Sequence, residues 1–362
     1  MTPRRMALAV LVLAAAVGLG ASATATARYP MESMWYVVNS DASVRSFIRN
    51  ARHVTIVAPH ALRVDAQGAV TGRVSAALLR VAREGGIRVM PVVTQPGFDR
   101  AVLNRLLHDP AARARAASEM ARLCAAERFW GMQFDFEHIH VDDRDAFTGF
   151  YREAARALHG SGCVASAAVV PRTSATGGAS PYHQWMHTLW RGAYDYRALA
   201  DAGDFLTLMA YDQHTRYTPP GPVAGLDWVE STVKYLLAEG VPPGKVLLGV
   251  PAYSRAWSAV PTEPGEAPTA GLWAAGLTHG QAVRLMVEHG AAPRWDARSR
   301  SYSAVWQTDG VNEHLALEDA RTFRSRLALV RRYGLRGFSA WRMGHEDPGV
   351  WKVLRFQALR GR

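Results

Sequence analysis

The segment Phe129–Glu137 reads FWGMQFDFE, and its alternation of apolar and polar side chains determines how the rest of the chain is interpreted. In a β-strand, successive side chains point to opposite faces, so Gln133, Asp135 and Glu137 share one face and the intervening apolar residues share the other. Two neighbouring buried carboxylates are costly unless they share a proton or have partners. A solvated strand end is the alternative, but bulky residues flank this pair on both sides. We therefore interpret the pair as functional.

The N-terminal residues resemble an export signal. Two arginines precede the apolar stretch Met6–Ala21, and the small residues that follow, up to Ala27, fit a cleavage site. The stretch is shorter than the roughly 20 apolar residues that a bilayer span requires. We expect residues 1–27 to be a signal peptide and residues 28–362 to form a secreted or periplasmic protein without a stable membrane span.

The chain is strongly basic, with a formal net charge of +11. A basic surface concentrates near anionic polymers, although arginines spread over solvated helix faces would give the same charge. The arginines are scattered and no nucleic-acid-binding motif occurs. We therefore expect no nucleic-acid partner.

Cysteine and histidine spacing argues against a metal site. Cys124 and Cys163 are the two cysteines, and they lack the paired spacing of a zinc site. They could form a disulfide or remain as buried thiols. The histidines that could lie on the active face are not fixed together by any motif: His138, His140, His183, His187 and His214. We expect no metal and no organic cofactor.

Apolar strands alternate with amphipathic helices through most of the chain, which indicates a parallel sheet buried on both faces. The eight predicted strands are 35–39, 53–58, 87–94, 129–137, 164–170, 205–211, 246–252 and 337–341. This order predicts an α/β protein with a (β/α)8 TIM barrel. Residues 258–313 lack this alternation of strands and helices, so we predict a small α+β insertion between strands 7 and 8.

Polar and aromatic residues occur where the predicted strands end. In such barrels the carboxyl ends of the strands form the active face. Glu137 ends the fourth strand, Tyr211 and Asp212 end the sixth, and Trp341 ends the eighth. These side chains are therefore expected to meet in one bowl.

Four motifs resemble glycoside hydrolase family 18, the chitinase-like family, over roughly residues 34–351. The fourth strand of that family reads Asp-x-x-Asp-x-Asp-x-Glu, and Trp130, Gln133, Asp135 and Glu137 stand at these positions. The other motifs are MAYD at 209–212, KVLLGVPAY at 245–253 and GFSAW at 337–341. The amide at Gln133 is similar to the bacterial spore-cortex and cell-wall N-acetylglucosaminidase branch, and it is expected to shift the acidic limb of the pH profile.

The resemblance implies substrate-assisted catalysis with retention of configuration. Glu137 would protonate the glycosidic oxygen, and Asp135 and Tyr211 would orient the substrate's acetamido group. Trp341 would form the floor beneath the cleaved sugar. The remaining substrate-binding residues implied by the resemblance are Gln133, Met209 and Asp212.

The resemblance implies a hydrolase acting on β-1,4-linked N-acetylglucosamine polymers, either chitin or peptidoglycan glycan. We expect the protein to be a monomer. A catalytically inactive chitin-binding lectin on the same scaffold is the alternative, but the retained Asp135 and Glu137 favour the enzyme. An aromatic stretch after the fifth strand fits sugar stacking and internal packing equally well: Tyr182, Trp185, Trp190, Tyr194 and Tyr196.

Overall fold

The computed structural model describes residues 31–259 and 272–360, so the predicted signal peptide lies outside the described residues. Eight parallel strands form the barrel; the third has two pieces. The strands are Glu32–Val37, Ile56–Val64, Arg88–Val89 with Val92–Thr94, Gly131–Phe134, Val164–Val169, Phe205–Leu208, Val246–Pro251 and Gly337–Trp341. The first strand pairs with both the second and the eighth, which closes the sheet. The predicted (β/α)8 barrel is confirmed.

Helices cover the outside of the barrel and separate most of its strands. In chain order the α-helices are Asp41–Asn50, Ala76–Glu84, Arg100–His108, Pro110–Glu127, Arg144–Gly160, Pro181–Met186, Tyr196–Ala202, Leu226–Ala238, His279–Glu288, Ala320–Arg332 and Val350–Arg360. Local sequence sets several boundaries. For example, the Asp109 carboxylate accepts hydrogen bonds from the amides of Ala111 and Ala112, and Pro110 occupies the first helical turn. None of the described helices is long and apolar enough to cross a bilayer.

The fourth barrel strand has the two faces that its sequence predicts. Met132, Phe134 and Phe136 are buried in the hydrophobic layer between the sheet and the helices. The strand ends at Phe134, earlier than predicted. Asp135 and Glu137 therefore lie just beyond its carboxyl end, where the chain opens toward the active face.

The predicted α+β insertion is present between the seventh and eighth barrel strands. It contains the helix His279–Glu288 and a five-stranded antiparallel sheet. Its strands are Ser254–Ala259, Leu272–Leu277, Arg294–Asp296, Ser301–Thr308 and Val311–Leu317. The insertion thus begins at Ser254 and ends at Leu317, which is wider than the predicted 258–313.

Cys124 and Cys163 form a disulfide, with their Cα atoms 6.6 Å apart. Cys124 lies in the last turns of the helix Pro110–Glu127, and Cys163 directly precedes the fifth barrel strand. The bond therefore ties the helix before the fourth strand to the start of the fifth strand.

Candidate active site

A cavity of about 620 Å³ opens at the carboxyl ends of the barrel strands. It brings together residues from distant parts of the chain, including most of the site predicted from sequence. The predicted residues that line it are Asp135, Glu137, Met209, Tyr211, Asp212 and Trp341. The expectation that these strand ends meet in one bowl is therefore met.

Glu137 is held by hydrogen bonds at both its side chain and its backbone. Its Oε2 accepts a hydrogen bond of 2.9 Å from Nε1 of Trp190. Its carbonyl oxygen accepts one of 2.6 Å from Nε2 of Gln95. Burial raises the pKa of Glu137, and the nearby carboxylate of Asp135 raises it further, whereas the Trp190 hydrogen bond opposes them. Glu137 is thus suited to carry a proton near neutral pH.

Asp135 is buried beside Glu137, and burial also raises its pKa. Its Oδ2 lies 3.8 Å from Nε2 of His60, which is too long for a hydrogen bond. Burial lowers the pKa of His60, so this imidazole is neutral near pH 7 and adds no full charge. No cation forms an ion pair with Asp135 at hydrogen-bond distance within the described residues, so the charge of Asp135 makes the ionisation of Glu137 harder.

Tyr211 presents a protonated phenol to the cavity. Burial raises its pKa well above the ordinary value, and the charges of Asp135 and Glu137 contribute to the rise. Its ring lies 6.4 Å from that of Tyr253, edge to face. The Tyr211 hydroxyl can therefore donate a hydrogen bond to an acceptor on a bound molecule.

Asp212 is oriented by residues that immediately follow the seventh barrel strand. Its backbone is left-handed, with φ of 59°. Its Oδ1 accepts a hydrogen bond of 2.8 Å from Nη2 of Arg255 and another from the hydroxyl of Tyr253. The Arg255 ion pair offsets the negative charge of Asp212, whose charge also acts on Glu137.

Trp341 forms an aromatic wall of the cavity at the end of the eighth strand. Its ring centroid lies 5.3 Å from that of Tyr36 and 5.7 Å from that of His60. An indole exposed to a cavity offers a flat apolar face on which a sugar ring can stack.

Gln133 is the exception among the predicted site residues. It is fully buried and does not line the cavity, so the direct substrate contact predicted for it does not fit its position. Neither polar atom of its amide has a hydrogen-bond partner within the described residues. Gln133 and Asp135 lie on the same inward face of the strand. Any effect of Gln133 on the reaction would therefore act by changing the pKa or position of the Asp135 carboxyl group.

Part of the aromatic stretch after the fifth strand packs internally, and sugar stacking by the rest stays a prediction. Tyr194 and Tyr196 are buried and pack internally. Trp190 contacts Glu137, and Trp185 is 45% exposed. No sequence pattern indicated the roles of Trp190, His60 or Arg255, because each acts through a contact distant in sequence. Among the described residues, no group of three or more His, Cys, Asp or Glu side chains could hold a metal ion.

A closed (β/α)8 barrel with a carboxyl pair at the mouth of the fourth strand is the arrangement of a glycoside hydrolase. The chain belongs to glycosyl hydrolases family 18, because the sequence model of that family matches residues 74–346. It is a glycoside hydrolase of this family.

Relatives of known sequence or structure differ in how much of their length they share with this chain. The crystal structure of a chitinase from Chromobacterium violaceum ATCC 12472 is similar to this chain, with 27% sequence identity and a TM-score of 0.78. The match covers 99% of that chitinase chain and 91% of this chain. The cortical fragment-lytic enzyme of Bacillus subtilis (strain 168) is 28% identical over 70% of this chain, which spans only 55% of that relative. The uncharacterized glycosylase YvbX of the same strain is 23% identical over 88% of this chain and 89% of its own length.

Proposed function

We propose that this hydrolase is exported and cleaves β-1,4-linked N-acetylglucosamine polymers, either chitin or peptidoglycan glycan, with retention of configuration. The observation that carries the proposal is the carboxyl pair of buried Asp135 and half-buried Glu137, which shares one cavity with Tyr211 and Trp341. Relatives named as a chitinase and as a cortical fragment-lytic enzyme support this substrate class.

In the proposed reaction, Glu137 donates its proton to the glycosidic oxygen as the bond to the anomeric carbon breaks. The carbonyl oxygen of the sugar's 2-acetamido group attacks that carbon and forms an oxazolinium ion. Asp135 accepts the hydrogen bond of the acetamido N–H and balances the positive charge, while Tyr211 donates to the acetamido oxygen. Water then attacks the anomeric carbon and returns a proton to Glu137, which yields the retained anomer.

The raised pKa of Glu137 supports its role as the acid. A carboxyl group with an ordinary pKa of 4.5 would be ionised at neutral pH, whereas burial and Asp135 favour the protonated form here. Trp341, which lines the same cavity, would support the sugar that is cleaved.

Export is supported by the disulfide between Cys124 and Cys163, because such bonds persist in oxidising compartments. The net charge of +11 also suits an encounter with anionic cell-envelope polymers. Detection of the mature chain outside the cytoplasm, with its N-terminus near residue 28, would test this part of the proposal.

The decisive experiment compares the wild type with Glu137→Gln on chitotetraose and on purified peptidoglycan, with cleavage and binding scored separately. We expect the wild type to release products initially in the β-anomeric form, as seen by NMR. Glu137→Gln should bind but not cleave, because the amide keeps the side-chain size and still accepts from Trp190. A wild type that binds both glycans and cleaves neither would support the lectin alternative and contradict the proposal.

A further inference from the structure

The cavity contains a guanidinium group whose charge the mechanism above does not use. Arg342 directly follows Trp341 and lines the same cavity as the carboxyl pair. Within the described residues, its side chain forms no ion pair or hydrogen bond, and burial alone lowers its pKa. A partly buried cation without a counterion indicates a position where an anion can be bound.

Two imidazoles lie on the same wall as Arg342. Its positive charge lowers the pKa of both His60 and His345, and burial lowers them more. Both rings are therefore neutral near pH 7, and each has a buried nitrogen without a hydrogen-bond partner in the described part of the chain: Nε2 of His60 and Nδ1 of His345. The wall thus offers one full positive charge and two neutral ring nitrogens.

The other charged residues that line the cavity do not neutralise the positive charge of Arg342. Asp212 is paired with Arg255 at 2.8 Å. The raised pKa values of Asp135 and Glu137 keep this pair from carrying its full double charge near neutral pH. Arg191 also lines the cavity and adds to its positive potential.

We propose that Arg342, with His60 and His345, binds a carboxylate carried by a sugar adjacent to the cleaved N-acetylglucosamine. The inference rests on the proposed function and narrows its substrate to a carboxylated alternating glycan. In chitin, every sugar is neutral. In peptidoglycan, N-acetylglucosamine alternates with N-acetylmuramic acid, so each neighbour of a cleaved N-acetylglucosamine carries a lactyl group, whose carboxylate is free where no stem peptide is attached. A bound carboxylate would receive the charge-assisted hydrogen bonds that the guanidinium lacks within the protein.

The test measures equilibrium binding in the Glu137→Gln background, so that it does not depend on turnover. Three tetrasaccharides are compared: chitotetraose, a peptide-free tetrasaccharide of alternating N-acetylglucosamine and muramic acid, and its lactyl carboxamide. We expect the carboxylated glycan to bind most tightly, and Arg342→Gln to weaken only its binding, by about tenfold or more. Arg342→Lys should retain part of the preference.

The matched control is Arg80→Gln, which removes the same charge from an exposed position on the helix Ala76–Glu84, away from the cavity. It should leave the preference unchanged. Equal losses for all three glycans in Arg342→Gln would overturn the proposal. If Arg342→Gln fails to fold, the test uses the Glu137→Gln protein with Arg342 intact and compares its affinities for the carboxylated glycan and the carboxamide. Equal affinities for the two glycans would also overturn the proposal. Failure of the wild type to cleave any glycan would contradict the proposed function but leave this preference measurable.

Discussion

The hydrogen bond from Trp190 to Glu137 should set the alkaline limit of activity. Trp190→Phe removes the indole donor, which lies 2.9 Å from Oε2 of Glu137, but keeps an aromatic ring against His138. The donor favours the ionised carboxylate, so its loss raises the pKa of Glu137 further. Because the alkaline limb of kcat/KM reports proton loss from the acid, that limb should move to higher pH.

The size of the shift follows from the strength of one hydrogen bond to a charged group. Such a bond contributes about 1.5–3 kcal/mol, and one pKa unit corresponds to about 1.4 kcal/mol. The protonated carboxyl group can still accept from the indole, so part of the bond is present in both ionisation states. We therefore expect the lower end of the range, an upward shift of about one pH unit.

The assay is the pH dependence of kcat/KM on chitotetraose, together with a ¹³C NMR titration of the Glu137 carboxyl group that does not require turnover. Trp185→Phe is the matched control, because Trp185 lies in the preceding short helix Pro181–Met186, is 45% exposed and makes no hydrogen bond to Glu137. An unchanged or lowered alkaline limb in Trp190→Phe would refute the reasoning, as would an equal shift in the control.

Two further changes test the barrel interior and the disulfide. Gln133→Asp should raise the pKa of Asp135 by like-charge repulsion and so move the acidic limb of kcat/KM to higher pH. The neutral variant Gln133→Asn should leave that limb in place. An unmoved acidic limb in Gln133→Asp would contradict this prediction. Replacing Cys124 and Cys163 together by alanine should lower the free energy of unfolding by about 4 kcal/mol, since the bond closes a loop with a sequence separation of 39. Urea denaturation measures this loss, and equal stability of variant and wild type would count against it.

The barrel could be predicted because its strands differ in pattern from the helices between them. Buried parallel strands are short apolar runs, and eight of them leave few alternative topologies. The details were less predictable. The sequence predicts a continuous third strand over 87–94, but the strand is interrupted before Val92, where Pro91 has no N–H to contribute to the ladder.

The carboxyl pair could be predicted for a similar reason: both residues belong to one short segment with a fixed alternation. Contacts between segments carry no such local signal. Trp190 and Glu137 are 53 residues apart, and Arg255 and Asp212 are 43 apart. Only the closure of the barrel brings these pairs together, so their roles required the structure.

The insertion contributes Arg255 to the lining of the cavity. Arg255 lies on its first strand, Ser254–Ala259, which pairs with the strands Leu272–Leu277 and Val311–Leu317. From that strand it pairs with Asp212, whose charge raises the pKa of Glu137. Without Arg255, more of the negative charge of Asp212 would act on Glu137. The pKa of Glu137 would then rise further, and its proton would be harder to transfer. A sheet added between two barrel strands would thus help to keep the proton of the proposed catalytic acid transferable.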